Sequence, residues 1–225
     1  MTRWQVEADP YPWPIEPLAV SQTALMVIDM QRDFCAPDGY VAQLGEDIAP
    51  LRAALGPAAA ALSAARAAGM RVFHTRQGYR PDLSDMPAWR RKQGTIVGQA
   101  GPLGRVLIRG EPGFQIVPEV APREDEPVID KTASGAFTDT DLDRVLRTAG
   151  VQALAFAGLT IDVCVHTTLR EAKDRGYQCL LVEDACGAIN PFLHDWAIQS
   201  VKVEGGVFGS VTDSAGFIKG VQTRA

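Results

Sequence analysis

The chain predicts an α/β fold: a doubly wound, mostly parallel sheet with helices on both faces, in the Rossmann-like three-layer manner. Three observations carry this. Apolar runs such as TALMVI (Thr23 to Ile28) and LAFA (Leu154 to Ala157) are nearly continuous rather than alternating. Strands covered on both faces read that way. These runs alternate with helical stretches along most of the chain, the pattern of βα units joined by right-handed crossovers. Polar groups then follow several of the runs, at the carboxyl ends where open α/β sheets place their sites.

Taken in order, residues 2–20 hold Trp4, Tyr11 and Trp13 among Pro10, Pro12, Pro14 and Pro17. Proline fixes φ and blocks regular helix, so residues 1–20 read as an extended N-terminal arm. It can lie on its own domain or on a neighbouring subunit, and the sequence does not decide. Residues 21–225 read as one α/β domain, because no linker-like break in composition divides them. The strand Thr23 to Ile28 ends at Asp29. Ala49 to Ala68 is rich in Ala and Leu, strong helix formers, and Gly69 closes it. RVFHT (Arg71 to Thr75) reads as a second strand, followed by a loop with Arg76 and Arg80. Residues 94–125 carry many Gly and Pro and predict an irregular crossover that shapes a pocket wall. Val128 to Asp130 is a brief strand, with Lys131 after it. Thr138 is the expected cap of a helix from about Asp139 to Thr148. Leu154 to Ala157 is the next strand, then a helix from Asp162 to Arg175. Gln178 to Glu183 follows as a strand. Asn190 and Pro191 form an N-cap and first-turn pair for a helix to about Val203. Val207 to Val211 is the last strand, and Thr212 or Asp213 starts the final helix.

Composition limits the partners. The formal net charge of -5 argues against a nucleic-acid surface. No apolar run is long enough to span a bilayer. The start lacks the basic-then-apolar pattern of a secretory signal, which points to a reducing, cytoplasmic setting where structural disulfides are rare. Cys35, Cys164, Cys179 and Cys186 show no paired spacing suited to zinc. Cys179 lies in an apolar strand and reads as core.

Cys164 is the candidate nucleophile. It falls in the first turn of the helix expected from Asp162, where unpartnered amides and the helix dipole favour a thiolate. Asp29 and Lys131 stand at the carboxyl ends of other strands, and in a parallel sheet all those ends share one edge. Asp29 is placed to take the thiol proton, Lys131 to stabilise the thiolate, and Cys164 to form an acyl-enzyme. His166, two residues on, points to a different helix face from Cys164 and is a poor base for it. His74, Asp82 and Asp85 lack the second histidine that a metal cluster would want. No metal and no organic cofactor is expected.

The segments GLTIDVCVHTTLREAKDRGY, LMVIDMQRDF and VIDKTASGAF, in their order, resemble the three motifs of the isochorismatase-like cysteine hydrolases. DPYPWP, FHTRQGYRPDL and GGVFGSV resemble the biuret and triuret hydrolase branch, with ureidoacrylate amidohydrolases as cousins. The resemblance implies a Cys164, Asp29, Lys131 triad and an oxyanion hole from the amides of Thr160 and Cys164. It also implies a cis peptide at Leu159-Thr160 and a homo-oligomer, dimer or tetramer. The substrate it implies is a small linear carbamoyl amide such as biuret or triuret, cleaved at a C–N bond with release of ammonia. The alternatives are a ureido acid such as ureidoacrylate, or a member that only binds a small ligand. Glu204, Phe34, Gln31, Arg76 and Phe137 are the expected substrate-binding residues. A carboxylate on the substrate would be met by Arg76, Arg80 or Arg109. Two positions depart from the biuret pattern: Glu204 stands where a glutamine is expected, and Ser134 where a second lysine is.

Overall fold

The computed structural model describes residues 3–223. Its centre is a six-stranded, all-parallel sheet built from β3 (Thr23–Ile28), β4 (Arg71–Gln77), β7 (Val128–Lys131), β8 (Ala153–Leu159), β9 (Gln178–Gly187) and β10 (Ser210–Thr212). The spatial order is β10-β9-β8-β3-β4-β7. The chain runs outward from β3 to β4 and β7, then returns to β8 on the other side of β3. The topological switch therefore falls between the carboxyl ends of β3 and β8, where such sheets open a crevice. Every residue of β3 and of β8 is buried, as the continuous apolar runs require.

Alternate residues of these strands feed two cores. Leu25, Val27, Ala155 and Ala157 pack on one face with α3 (Ala49–Ala53), α4 (Leu55–Ala67) and α9 (Ser214–Gln222). Ala24, Met26, Ile28, Leu154 and Phe156 pack on the other with α6 (Leu142–Thr148), α7 (His166–Asp174) and α8 (Pro191–Gly206). Short elements border the site edge: α1 (Arg32–Cys35), α2 (Tyr40–Gln43), α5 (Ala88–Lys92) and the ribbon β5 (Ala100–Gly101) and β6 (Gly104–Arg105). The last three lie in the long connection between β4 and β7. Among the described residues, no helix is long and apolar enough to cross a membrane.

The proline-rich arm is not simply extended: it pairs with itself as an antiparallel hairpin, β1 (Arg3–Val6) with β2 (Trp13–Ala19). Trp4 and Trp13 are buried edge to face at 5.3 Å, and Trp4 meets Phe217 of α9 at 6.2 Å. Trp13 Nε1 donates to the Gln178 carbonyl at 3.0 Å. Asp9 bridges to Val211, so the arm covers the β10 edge of its own sheet, a strand edge left open otherwise. Two boundaries also differ from the sequence reading. Thr138 does not cap α6; its hydroxyl donates to Glu171 at 2.5 Å, and the helix starts later, at Leu142. Val207 to Gly209 complete the turn out of α8, so the last strand begins at Ser210.

Candidate active site

Gly158 lies near the end of β8 with φ 142°. A Cβ there would stand 2.2 Å from the Ile28 carbonyl oxygen, so only glycine lets β3 and β8 run this close at the switch point. The Leu159-Thr160 peptide is cis. Next comes a π-turn, Ile161–Val165, before α7. The Thr160 carbonyl accepts from the amides of Val163 at 3.2 Å and Val165 at 3.1 Å, passing over Cys164. Cys164 thus sits in a wide turn ahead of the helix, not in the first turn of an α-helix as the periodicity suggests.

That placement reverses the expected acidity. Burial pushes the Cys164 thiol up to about 12, and the neighbouring Asp29 carboxylate pushes the same way; only Lys131 pulls it down. The resting sulfur is a neutral thiol.

Asp29 has φ 49° at the tip of β3, a left-handed conformation that Asp tolerates better than most residues. Its amide and Oδ1 are both tied to Thr75, Oδ1 accepting the Thr75 hydroxyl at 2.5 Å. Lys131, the last residue of β7, brings Nζ to 2.7 Å from Asp29 Oδ2 with both side chains fully buried. The ammonium also donates to Gln77 Oε1 at 2.8 Å, the Ser134 carbonyl at 2.9 Å and the Ala133 carbonyl at 3.0 Å. The contact with Asp29 is a buried ion pair. Burial pulls the Lys131 pKa down, but Asp29 and Cys164 outweigh it and the net shift is upward. The site holds an ammonium and a carboxylate 2.7 Å apart, beside a thiol whose acidity both influence.

These groups open on a cavity of about 240 Å³ whose wall includes Cys164, Thr160, Gln77, Phe34, Tyr40 and Arg90. Phe34 stands on the wall, as expected. Gln31 does not: it is fully buried, its Oε1 accepting the Gln77 amide at 2.7 Å and its Nε2 donating to the Gln77 and Phe114 carbonyls at 3.1 Å. Arg76 faces away because strand side chains alternate. Gln77 and Lys131 are register partners toward the site; Arg76 and Asp130, the preceding pair, meet each other at 2.8 Å. Arg76 also lies 4.5 Å over the Phe114 ring. Phe137 is packed against Tyr177 and under Arg175 and is not among the residues that line the cavity. Glu204 lies at the far end of α8, beside Gly206, which touches Pro10 and Tyr11. A helix that follows a parallel strand returns to the opposite edge of the sheet, so Glu204 is carried away from the crevice. Arg109 is paired with Asp85 at 3.4 Å, and Arg80 is exposed.

The sequence reading missed Gln77, Tyr40 and Arg90. Gln77 was legible in part: it repeats the period of two from Thr75. Tyr40 and Arg90 come from loops and short helices with no periodic signal. His166 accepts from Arg170 Nε at 3.0 Å through Nδ1 and stacks on Trp196 at 5.7 Å. Burial lowers its pKa to about 4, with Arg170 adding to the effect. His74 is held by Glu126 at 3.1 Å.

The described fold is a three-layer α/β domain with its crevice at a parallel-sheet switch point. The chain matches the Isochorismatase domain family over residues 23–215 and belongs to that family. It is 32% identical over 208 residues to the ureidoacrylate amidohydrolase RutB of Azorhizobium caulinodans, covering 88% of this chain and 92% of that one. It is 31% identical to the protein of the same name from Agrobacterium fabrum, covering 94% and 95%. Among solved structures it is similar to a cysteine hydrolase from Pseudomonas syringae pv. phaseolicola, with TM-score 0.79, 28% identity and 99% of each chain covered. It is also similar to N-carbamoylsarcosine amidase from Thermoplasma acidophilum, with TM-score 0.65, 27% identity, and 86% and 96% covered.

Proposed function

We propose that this chain is a cysteine amidohydrolase of small ureido acids, with a ureidoacrylate-like compound as its substrate. The chain is a hydrolase acting on amide C–N bonds, in keeping with its amidase relatives. The observation that carries the reading is the buried Asp29–Lys131 pair at 2.7 Å, whose charges act on the Cys164 thiol at the cavity wall. Biuret and triuret, which the branch motifs suggest, are the second reading. The curated relatives described above are named ureidoacrylate amidohydrolases, and they favour the first.

The reaction follows from the proton inventory. The neutral Cys164 thiol passes its proton to Asp29 Oδ2 as sulfur bonds to the urea carbon, so no free thiolate waits in the resting site. Lys131 stays protonated and balances the negative charge that develops as the S–C bond forms. The oxygen of the tetrahedral intermediate is met by the amides of Thr160 and Cys164. Asp29 returns the proton to the departing nitrogen as the C–N bond breaks, leaving an S-acyl enzyme. Asp29 then takes a proton from water, and hydroxide attacks the acyl carbon. The C–S bond breaks, and the sulfur recovers the proton from Asp29. Either urea nitrogen can leave first; ammonia appears at once or when released carbamate decomposes.

Ammonia release measured over ureidoacrylate, 3-ureidopropionate, biuret, triuret and nicotinamide tests the proposal. Turnover of the ureido acids, abolished in Cys164→Ala, supports it. Full turnover in Cys164→Ala, or activity on biuret and triuret alone, counts against it. The exposed apolar side chains Phe192, Leu193 and Trp196 on α8 support self-association as a dimer or tetramer, which light scattering measures.

A further inference from the structure

We infer that Arg90 is the carboxylate-binding residue of this cavity and selects anionic ureido acids over neutral carbamoyl amides; this rests on the amidohydrolase reading above. Arg90 lies on the short helix α5, in the crossover between β4 and β7, and its side chain reaches the same cavity wall as Cys164. Lys131 is behind that wall, fully buried, with its protons assigned. Arg90 is the one charged side chain among the lining residues.

It is also a cation without an anion. Among the described residues, no carboxylate lies within ion-pair distance of it and no carbonyl accepts from its guanidinium. The neighbouring arginines are engaged: Arg76 with Asp130 at 2.8 Å, Arg109 with Asp85 at 3.4 Å, and Arg105 with the Gly98 and Pro81 carbonyls at 3.0 and 2.7 Å. Arg90 is half-buried, with its guanidinium carbon 5.7 Å from the Tyr79 ring centroid. That contact is made by the guanidinium itself, whose N–H donors, among the described residues, have no protein acceptor, and the planar fork of donors matches a carboxylate with two parallel bonds.

Tyr40 lines the same cavity as Cys164 and Arg90. Burial, then Asp33 and Cys164, push its hydroxyl up to about 12 while Arg90 opposes them, so it is a neutral phenol able to donate. A substrate with its urea carbon at Cys164 would therefore run past a donor to a fixed positive charge. A neutral compound would cover Arg90 and leave it without a counter-charge, which costs binding.

The test compares ureidoacrylate with its uncharged carboxamide and with biuret. In Arg90→Gln, the acid-over-carboxamide ratio of kcat/KM is expected to fall by about 10- to 100-fold, the size of a charge-assisted contact, mainly through KM. Arg90→Lys should keep part of the preference, because it restores charge but not the fork. Calorimetry with Cys164→Ala protein, with and without Arg90→Gln, gives a readout independent of turnover. Acid-selective binding that Arg90→Gln removes supports the inference. An unchanged acid-to-carboxamide ratio, or a wild-type preference for the carboxamide or biuret, overturns Arg90 while the amidohydrolase reading stands. If no compound is hydrolysed, that reading fails, and the calorimetry still decides whether Arg90 binds the carboxylate.

Discussion

The side chain of Gln31 and the backbone of Gln77 bond reciprocally: Gln31 Oε1 accepts the Gln77 amide at 2.7 Å, and Gln31 Nε2 donates to the Gln77 carbonyl at 3.1 Å. Gln77 Oε1 in turn accepts from Lys131. Gln31 thus positions the lysine from outside the cavity. Gln31→Leu should leave buried groups of Gln77 and Phe114 unpaired, at about 1–3 kcal/mol each. It should lower kcat with little change in KM, because no substrate touches residue 31. Denaturant midpoints and steady-state kinetics check both. A rise in KM at constant kcat would instead put Gln31 in the binding pocket.

The legible part of this site was the part written in strands. Asp29 and Lys131 stand at the ends of short apolar runs, and parallel pairing alone brings those ends to one edge. The Cys164 turn was legible as a break after Gly158, but not its width, because a π-turn and an α-turn share the same apolar spacing. The binding wall was read poorly. Arg76 was assigned to the pocket without the alternation that turns it outward, and Glu204 without following α8 back across the sheet. Arg90 and Tyr40 arrive through irregular connections, where no period relates position to direction. The arm's prolines suggested an extended segment on its own domain or a neighbouring subunit, while the hairpin depends on β1–β2 pairing and on the burial of Trp4 and Trp13.

The Asp29–Lys131 pair predicts a separation of stability from activity. Asp29→Asn should lower kcat by about 10²–10⁴-fold, the range of general acid–base work. It also leaves the Lys131 ammonium buried without its counter-charge, and breaking such a pair costs about 3–5 kcal/mol. Lys131→Met should destabilise similarly from the other side. The double variant, Asp29→Asn with Lys131→Met, should recover much of that stability and none of the activity. Additive losses in thermal unfolding would mean that the two charges are not coupled in the fold.

A resting thiol makes its own kinetic prediction. With Cys164 pushed up to about 12, the thiolate fraction grows tenfold per pH unit through the neutral range. Alkylation of Cys164 by iodoacetamide should climb in step from pH 7 to 10 without a plateau, and bound substrate should block it. Mass spectrometry locates the adduct. A plateau with a midpoint below pH 8 would show an activated thiolate already present and remove Asp29 from the first proton transfer.

Buried thiols also set the alkaline limit of the fold. Burial raises the pKa of Cys35 and Cys164 to about 12 and raises Cys179 and Cys186 as well. Above the ordinary thiol value near 9, the unfolded chain releases these protons while the native chain keeps them. The native state then binds more protons, so stability falls as pH rises. The contribution is whole below pH 9 and is lost progressively toward the folded values. Each such thiol should cost about 1.4 kcal/mol per pH unit within that window. Cys179→Val removes one of them, in a fully apolar strand position and away from the site. Its denaturation free energy should therefore fall less steeply than that of the parent between pH 9 and 11, by about that slope. Parallel curves for the two proteins would show that Cys179 keeps no proton on folding.

The acid limit rests on another cluster. Arg66 donates twice to Glu126 at 2.7 Å, and His74 Nε2 lies 3.1 Å from the same carboxylate. Burial pushes Glu126 up, but Arg66, the Arg123 amide and His74 together outweigh it and hold it at about 2, below its ordinary 4.5. A depressed carboxylate stabilises the native state above its unfolded pKa. That stability is lost as pH falls from 4.5 toward 2, because the unfolded chain takes up the proton first. His74 acts in the same sense: burial lowers its pKa despite Glu126, so below about 6.5 the unfolded chain again binds the extra proton. Both groups make the fold weaken as pH drops. Glu126→Gln should therefore lower stability at pH 7 yet flatten its decline between pH 4.5 and 2, followed by circular dichroism. An equally steep decline in that variant would assign acid sensitivity to other carboxylates.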